Sequence, residues 1–252
     1  MFSQRELKRY KRQMMLFGED GQERLKKAHI FIAGAGGLGS PVSIYLAVAG
    51  VGTITIADMD VVDLTNLNRQ ILHFDRDIGK KKTASAEEKL RELNPDITIN
   101  AIDVKIEESN AVKLIGRADG IVDAMDNYPT RYLLNDVAIA KEIPLFHGGI
   151  RGFCGQATTI IPGITPCFKC IFKKAPPREV FPVVGVTAGI IGAVQANEVI
   201  RYLTGSGELL TGRLFIWDGM QAHAEEICVE RNPGCEACSG MTTTKTTARK
   251  KK

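Results

Sequence analysis

The sequence predicts an α/β fold: a doubly wound sheet, parallel in its N-terminal half and extended by antiparallel strands in its C-terminal half. Three observations predict it. The apolar run 30–33 passes straight into Gly34-Ala-Gly36-Gly37-Leu-Gly39, and a helical pattern follows. Strand, glycine turn and helix in that order open a Rossmann-like nucleotide-binding unit, because glycines permit the tight turn and let backbone amides close on phosphate oxygens. From there to about residue 150, short apolar runs alternate with helical stretches, the pattern of right-handed crossovers in a sheet covered on both faces. After Gly149 the alternation fails. Residues 156–161, 213–217 and 221–229 read as strands and 187–203 as one long helix, so these strands are expected to add to the same sheet.

Taken in order, residues 3–16 place Leu7, Tyr10, Met14 and Leu16 at helical spacing among arginines and lysines. A strand at 29–33, the glycine loop 34–39 and a helix to Ala49 follow; Gly50 and Gly52 end that helix, and a strand at 53–57 leads to Asp58. The polar connection 60–82 exceeds the usual length between a strand and a helix, which points to function. A helix over 83–93 stops at Asn94-Pro95, since the residue before proline avoids the helical region. Residues 97–104 read as a strand, 109–115 as a helix and 120–123 as a strand. A helix over 129–141 carries Pro129 in its first turn, and 144–147 is the next strand. Residues 1–241 are expected to form one unit, with a nucleotide-binding core at about 28–150 and a C-terminal part at about 151–241.

The net charge of +4 is carried by the end of the chain. Residues 242–252 hold Lys245, Arg249, Lys250, Lys251 and Lys252 and no acid, so without them the charge is −1. Such a basic, apolar-poor tail reads as disordered and solvated, and neither nucleic acid nor a membrane is expected as a partner. Residues 1–16 are charged throughout and do not read as a signal peptide, and the apolar run 183–196 is too short for a bilayer. A cytoplasmic location is expected.

Several residues carry chemistry. Asp58 ends the second strand, where an acid can hold a ribose hydroxyl. Arg69 and Lys82 fall in the long connection, near the carboxyl ends of strands, where cations can neutralise a triphosphate and a departing pyrophosphate. A dinucleotide dehydrogenase has no need of them, which disfavours an NAD- or FAD-binding oxidoreductase. Asp126 follows the fourth strand and suits Mg²⁺ on phosphate oxygens; its alternative is to cap the next helix. Cys167-x-x-Cys170 and Cys235-x-x-Cys238 are two knuckles able to supply four thiolates to a closed, structural Zn²⁺ site, with a redox pair or free thiols as the alternative.

Arg9-Tyr10-Lys-Arg12-Gln13, the glycine loop, Asp58-x-Asp60, Asn66-Leu-Asn-Arg69-Gln70, Lys82, Asp123-x-x-Asp126-Asn127 and the paired knuckles occur in this order. Together they resemble the ThiF/MoeB/HesA family, relatives of ubiquitin-activating enzymes, over about residues 3–239. The resemblance implies an ATP- and Mg²⁺-dependent adenylyltransferase that activates the C-terminal glycine of a ubiquitin-like sulfur-carrier protein as an acyl-AMP. It implies nucleotide contacts from Gly34, Gly36, Gly37, Gly39, Asp58, Asp60, Asn66, Arg69, Gln70, Lys82, Asp126 and Asn127. Arg69, Lys82 and Asp126 would be catalytic, Asp126 through Mg²⁺. Arg12 would be catalytic at the neighbouring subunit's ATP, so the active form would be a homodimer.

One feature departs from the family. Many members carry a cysteine in the segment between the first knuckle and the long helix, whereas here no cysteine occurs from 171 to 227 and Arg178 falls near that position. The remaining cysteines, Cys154 and Cys228, sit in apolar strand patterns and are expected to be buried and inert. The acyl-AMP would then pass to an external acceptor. Relatives without that cysteine include enzymes that adenylate a small-molecule carboxylate, such as the pyridinol of the iron-hydrogenase cofactor, which is the alternative substrate class.

Overall fold

The fold rests on a computed structural model that describes residues 2–177 and 181–241; Arg178 and the basic tail 242–252 lie outside the described residues. Helix α1 (Gln4–Lys27) opens on a reciprocal cap: the Ser3 hydroxyl accepts from the Glu6 amide, and the Glu6 carboxylate accepts from the Ser3 amide. It runs beyond residue 16 because Gly18, at φ 68°, kinks the helix without ending it. Next come β1 (His29–Ala33), α2 (Gly39–Ala49), β2 (Thr53–Asp58), α3 (Lys82–Leu93), β3 (Thr98–Asp103), α4 (Ala111–Ile115), β4 (Gly120–Asp123) and α5 (Tyr128–Lys141). The C-terminal part adds β5 (Leu145–Arg151), β6 (Cys154–Ile160), α6 (Phe168–Ile171), α7 (Gly185–Thr204), β7 (Arg213–Asp218) and β8 (His223–Cys228).

All eight strands form one sheet in the order β3-β2-β1-β4-β5-β6-β7-β8. The first five are parallel and the last three antiparallel, as the sequence predicts. Strand order reverses between β1 and β4, so the chains leaving their carboxyl ends diverge and open a crevice there. Both faces of the inner strands are covered. Ile30, Ile32, Ile54 and Ile56 face α2, α3 and α7, and Phe31, Ala33, Ile121 and Leu145 face α4, α5 and α6. The apolar run 183–196 lies largely in α7, whose buried positions Thr187, Ala188, Ile191, Gly192, Gln195 and Val199 recur at helical spacing. Among the described residues, no helix is long and apolar enough to cross a membrane.

Two expectations need correction. β5 continues to Arg151 rather than stopping at residue 147, because Gly148 and Gly149 pair with Ala157 and Gln156. Gly148 is needed there: a Cβ would stand 2.4 Å from the Gln195 side chain. Cys154 and Cys228 are exposed, not buried. Cys154 begins β6 beside the turn at Gly152 and Phe153. Cys228 ends the edge strand β8, all six residues of which are exposed because nothing described covers that strand.

Candidate functional site

The glycine loop closes tightly at the crevice. Gly34 has φ +102°, a left-handed conformation that favours glycine, and a Cβ on Gly39 would lie 2.0 Å from the Gly34 carbonyl oxygen. Asp58, at the end of β2, accepts from the Ala35 amide on Oδ2 and from the Asp60 amide on Oδ1, each at 2.8 Å. The amides of Gly36, Gly37 and Leu38 find no acceptor among the described residues. These free donors precede the first turn of α2, where the helix dipole is positive, an arrangement that receives anionic oxygens.

The long connection folds over this loop. Leu64–Asn66 is a single 3₁₀ turn held by Asp63, which accepts from the Thr65 amide, and by Asn66, which accepts from the Asp63 amide. Arg69 packs against Gly37 and donates to the Thr65 carbonyl oxygen. Gln70 is buried, its Oε1 has no partner among the described residues, and its side-chain amide nitrogen lies beside Gly36. Lys82, at the start of α3, is buried and bonds Asp60 at 2.8 Å. The β4 end abuts the same loop, since a Cβ on Gly34 would lie 2.8 Å from the Ala124 carbonyl oxygen. There Asn127, not Asp126, caps α5 by accepting from the Thr130 amide, which leaves Asp126 exposed. The structure thus gathers the loop, Asp58, Asp60, Asn66, Arg69, Gln70, Lys82, Asp126 and Asn127 at adjoining strand ends. Arg12 stands apart on α1, exposed, with no hydrogen bond or ion pair to any described residue.

Two buried polar clusters underlie the site, and neither is singled out by the sequence reading. In one, Asp123 accepts from the Met125 amide and from His147 Nδ1 at 2.7 Å, while Arg131 donates to the Met125 and Gly148 carbonyl oxygens. Burial pushes the His147 ring pKa down, so the ring is neutral and donates to the carboxylate. In the other, His73 reaches the Ala35 carbonyl oxygen at 2.9 Å and Ser85 at 2.9 Å, and Lys89 joins Ser85 to Asp77. Burial pushes the Asp77 carboxyl up, but hydrogen bonds from Lys89, the Phe74 amide and Lys80 outweigh it and hold the group below the usual carboxylate range. A sequence signal for this second cluster exists: Lys82, Ser85 and Lys89 share the buried face of α3 with Ala86 and Leu90.

The four knuckle cysteines meet below the sheet. Their sulfur atoms are buried and lie within 4.8 Å of one another. The distances are 3.8 Å for Cys167–Cys170, 3.6 Å for Cys167–Cys235 and 3.5 Å for Cys170–Cys238. A tetrahedron with Zn–S bonds near 2.3 Å has edges of about 3.8 Å, so the donor set fits a four-coordinate zinc with no open position. Burial pushes the Cys167 and Cys170 thiols up. In Cys235 the amides of Ala237 and Cys238 outweigh burial and bring the thiol down to about 7. Phe168 ties this cluster to the body: its amide donates to Asn135, and its ring lies 4.9 Å from that of His147.

A glycine loop with Arg69, Lys82 and Asp126 at adjoining strand ends of a doubly wound sheet is the arrangement of an anion-binding α/β protein, and comparison with known proteins gives its class. The ThiF family profile matches residues 10–237. The chain is 42% identical over 241 residues to the SAMP-activating enzyme E1 of Haloferax volcanii, covering 92% of this chain and 89% of that protein. It is 40% identical over 250 residues to the sulfur carrier protein adenylyltransferase of Thermus thermophilus, covering 94% and 92%. Against the adenylyltransferase and sulfurtransferase MOCS3 of Culex quinquefasciatus the identity is 41%, and the chain spans 56% of that longer protein. Among solved structures, MccB of E. coli shares the fold with a TM-score of 0.84 at 24% identity, covering 91% of this chain and 74% of that one. The chain belongs to the ThiF family, and its enzyme class is that of the adenylyltransferases.

Proposed function

We propose that the protein binds MgATP on the Gly34–Gly39 loop and adenylates the C-terminal glycine carboxylate of a ubiquitin-like sulfur-carrier protein. One juxtaposition carries the reading: three successive loop amides have no acceptor among the described residues, Arg69 packs against Gly37 in their midst, and Asp126 is exposed at the adjoining strand end. The names of the Haloferax volcanii and Thermus thermophilus relatives supply the substrate class. Asp58 and Asp60 serve the ribose side, Gln70 and Asn127 line the nucleotide, and Asn66, Arg69 and Lys82 contact the phosphates. Lys82 would exchange its bond to Asp60 for one to a phosphate oxygen.

The carboxylate oxygen attacks the α-phosphorus, the bond to the bridging oxygen breaks, and pyrophosphate leaves with the electron pair. Asp126 would hold Mg²⁺, which would supply positive charge to the phosphate oxygens. The chain's own work is to fix the reactants in line and to meet the developing charge with Arg69, Lys82 and the loop amides. Arg12, exposed on α1, would serve a partner subunit's ATP as the family resemblance implies, and the active unit would then be a homodimer. Cys167, Cys170, Cys235 and Cys238 hold a structural Zn²⁺, and the acyl-AMP passes to an external acceptor rather than to a cysteine of this chain. A pyrophosphate–ATP isotope exchange that depends on an added carboxylate tests the reading, and its absence with every carrier and small acid tried counts against it.

A further inference from the structure

We infer that His73 is a positioning residue for the phosphate loop, setting the direction of the Gly36 amide and through it the protein's grip on phosphate. In a planar trans peptide, the carbonyl of one residue and the amide hydrogen of the next point opposite ways. The Ala35 carbonyl oxygen lies 2.9 Å from Nε2 of His73, a side chain that is 3% exposed. That contact pins the carbonyl towards the interior, so the Gly36 N–H of the same peptide is turned away from it, and no described group accepts from that amide. On the other side of Ala35, the amide is held by Asp58 at 2.8 Å. Both peptides flanking Ala35 are therefore fixed before any nucleotide arrives.

The chemistry of the partners assigns the tautomer. A carbonyl oxygen only accepts, so the proton sits on Nε2, and Nδ1 accepts from the Ser85 hydroxyl at 2.9 Å. Ser85 can spare its proton because Lys89 donates to its oxygen at 2.9 Å, and Lys89 is in turn anchored on the fully buried Asp77 at 2.5 Å. A buried ion pair adds little to stability compared with apolar packing, but it can fix one arrangement of its neighbours. Here that arrangement is the histidine tautomer that donates to the loop. The charged groups around the ring are Lys82, Lys89 and Asp77, and burial with the two lysines keeps the ring neutral.

The inference rests on the proposed nucleotide site, and its test separates the two. Calorimetric titration of the full chain with a non-hydrolysable ATP analogue and, separately, with adenosine reads phosphate grip apart from the rest of the pocket. His73→Leu removes the donor and is expected to weaken the analogue about tenfold, the loss of one charge-assisted hydrogen bond, while adenosine binding stays unchanged. His73→Gln, whose amide can donate to the Ala35 carbonyl, is expected to recover most of that loss. If His73→Leu does not fold, Ser85→Ala replaces it. That change frees Nδ1 to take the proton and is expected to cause a smaller loss confined to the analogue. Analogue affinity equal to wild type in the folded variant, or an equal loss for adenosine, overturns the positioning role and leaves the nucleotide site standing. A wild-type chain that binds neither compound overturns both.

Discussion

The inner and outer halves of the sheet are built differently, and the difference separates chemistry from support. Strands β1 and β4 are buried on both faces, and from their carboxyl ends the glycine loop and the Asp123–Asn127 turn emerge side by side. Every candidate nucleotide contact on this chain comes from such an end or from the connection folded over it. The antiparallel half loses cover step by step, until β8 is exposed along its whole length, and in its place a cluster of four buried cysteines fastens the final segment to α5 and α6. Substitutions of exposed site residues at the inner strands' carboxyl ends should therefore remove activity and spare the fold, whereas those in the cysteine cluster should do the reverse.

The largest expected effect is on stability. Cys167→Ser should lose bound zinc by elemental analysis and lower unfolding stability by about 3 kcal/mol or more, because metal binding is part of the folding free energy. Retained stability in zinc-free protein would break the comparison at its outer half. Asp126→Ala should lower pyrophosphate exchange about 100-fold and change stability by less than about 0.5 kcal/mol, since the side chain is exposed and Asn127 does the capping. Unaltered exchange would remove Asp126 from the site. Mixing inactive Arg12→Ala and inactive Asp126→Ala chains should restore about a quarter of wild-type activity if subunits exchange freely, because half the dimers then carry one intact site. No recovery after demonstrated exchange would show that Arg12 does not act across an interface. The smallest expected effect is none at all. Cys154→Ser should leave acyl-AMP formation unchanged, and denatured wild-type enzyme should carry no thiol-sensitive mass. The exposure of Cys154 at the same sheet edge as the site makes it the residue to watch.

Much of this was legible because it is local in sequence. The glycine loop declares itself by composition and by the strand before it, and the knuckles by spacing. The direction of the strands, parallel and then antiparallel, followed from alternation and its failure after Gly149, whereas their order came only from the structure. What escaped is what depends on distant partners. Cys154 and Cys228 look apolar in context, but Cys154 falls at the exposed start of a strand that is otherwise mostly buried, and Cys228 lies on a strand that nothing described covers. The His73–Ser85–Lys89–Asp77 chain and the Asp123–Arg131–His147 cluster join residues from different elements, and a lone buried histidine carries no mark of its partners in the sequence. Asn127 took the capping role weighed for Asp126 because the helix begins at Tyr128, and the cap is the residue directly before the first turn.

The central claim is that this site activates a protein carboxylate. The most direct measurement is pyrophosphate–ATP exchange with a ubiquitin-like carrier from the same cell, compared with the carrier lacking its terminal glycine and with a panel of small carboxylic acids. Exchange is expected with the intact carrier alone, abolished by chelating Mg²⁺. Exchange that proceeds with a small acid and ignores every intact carrier would contradict it.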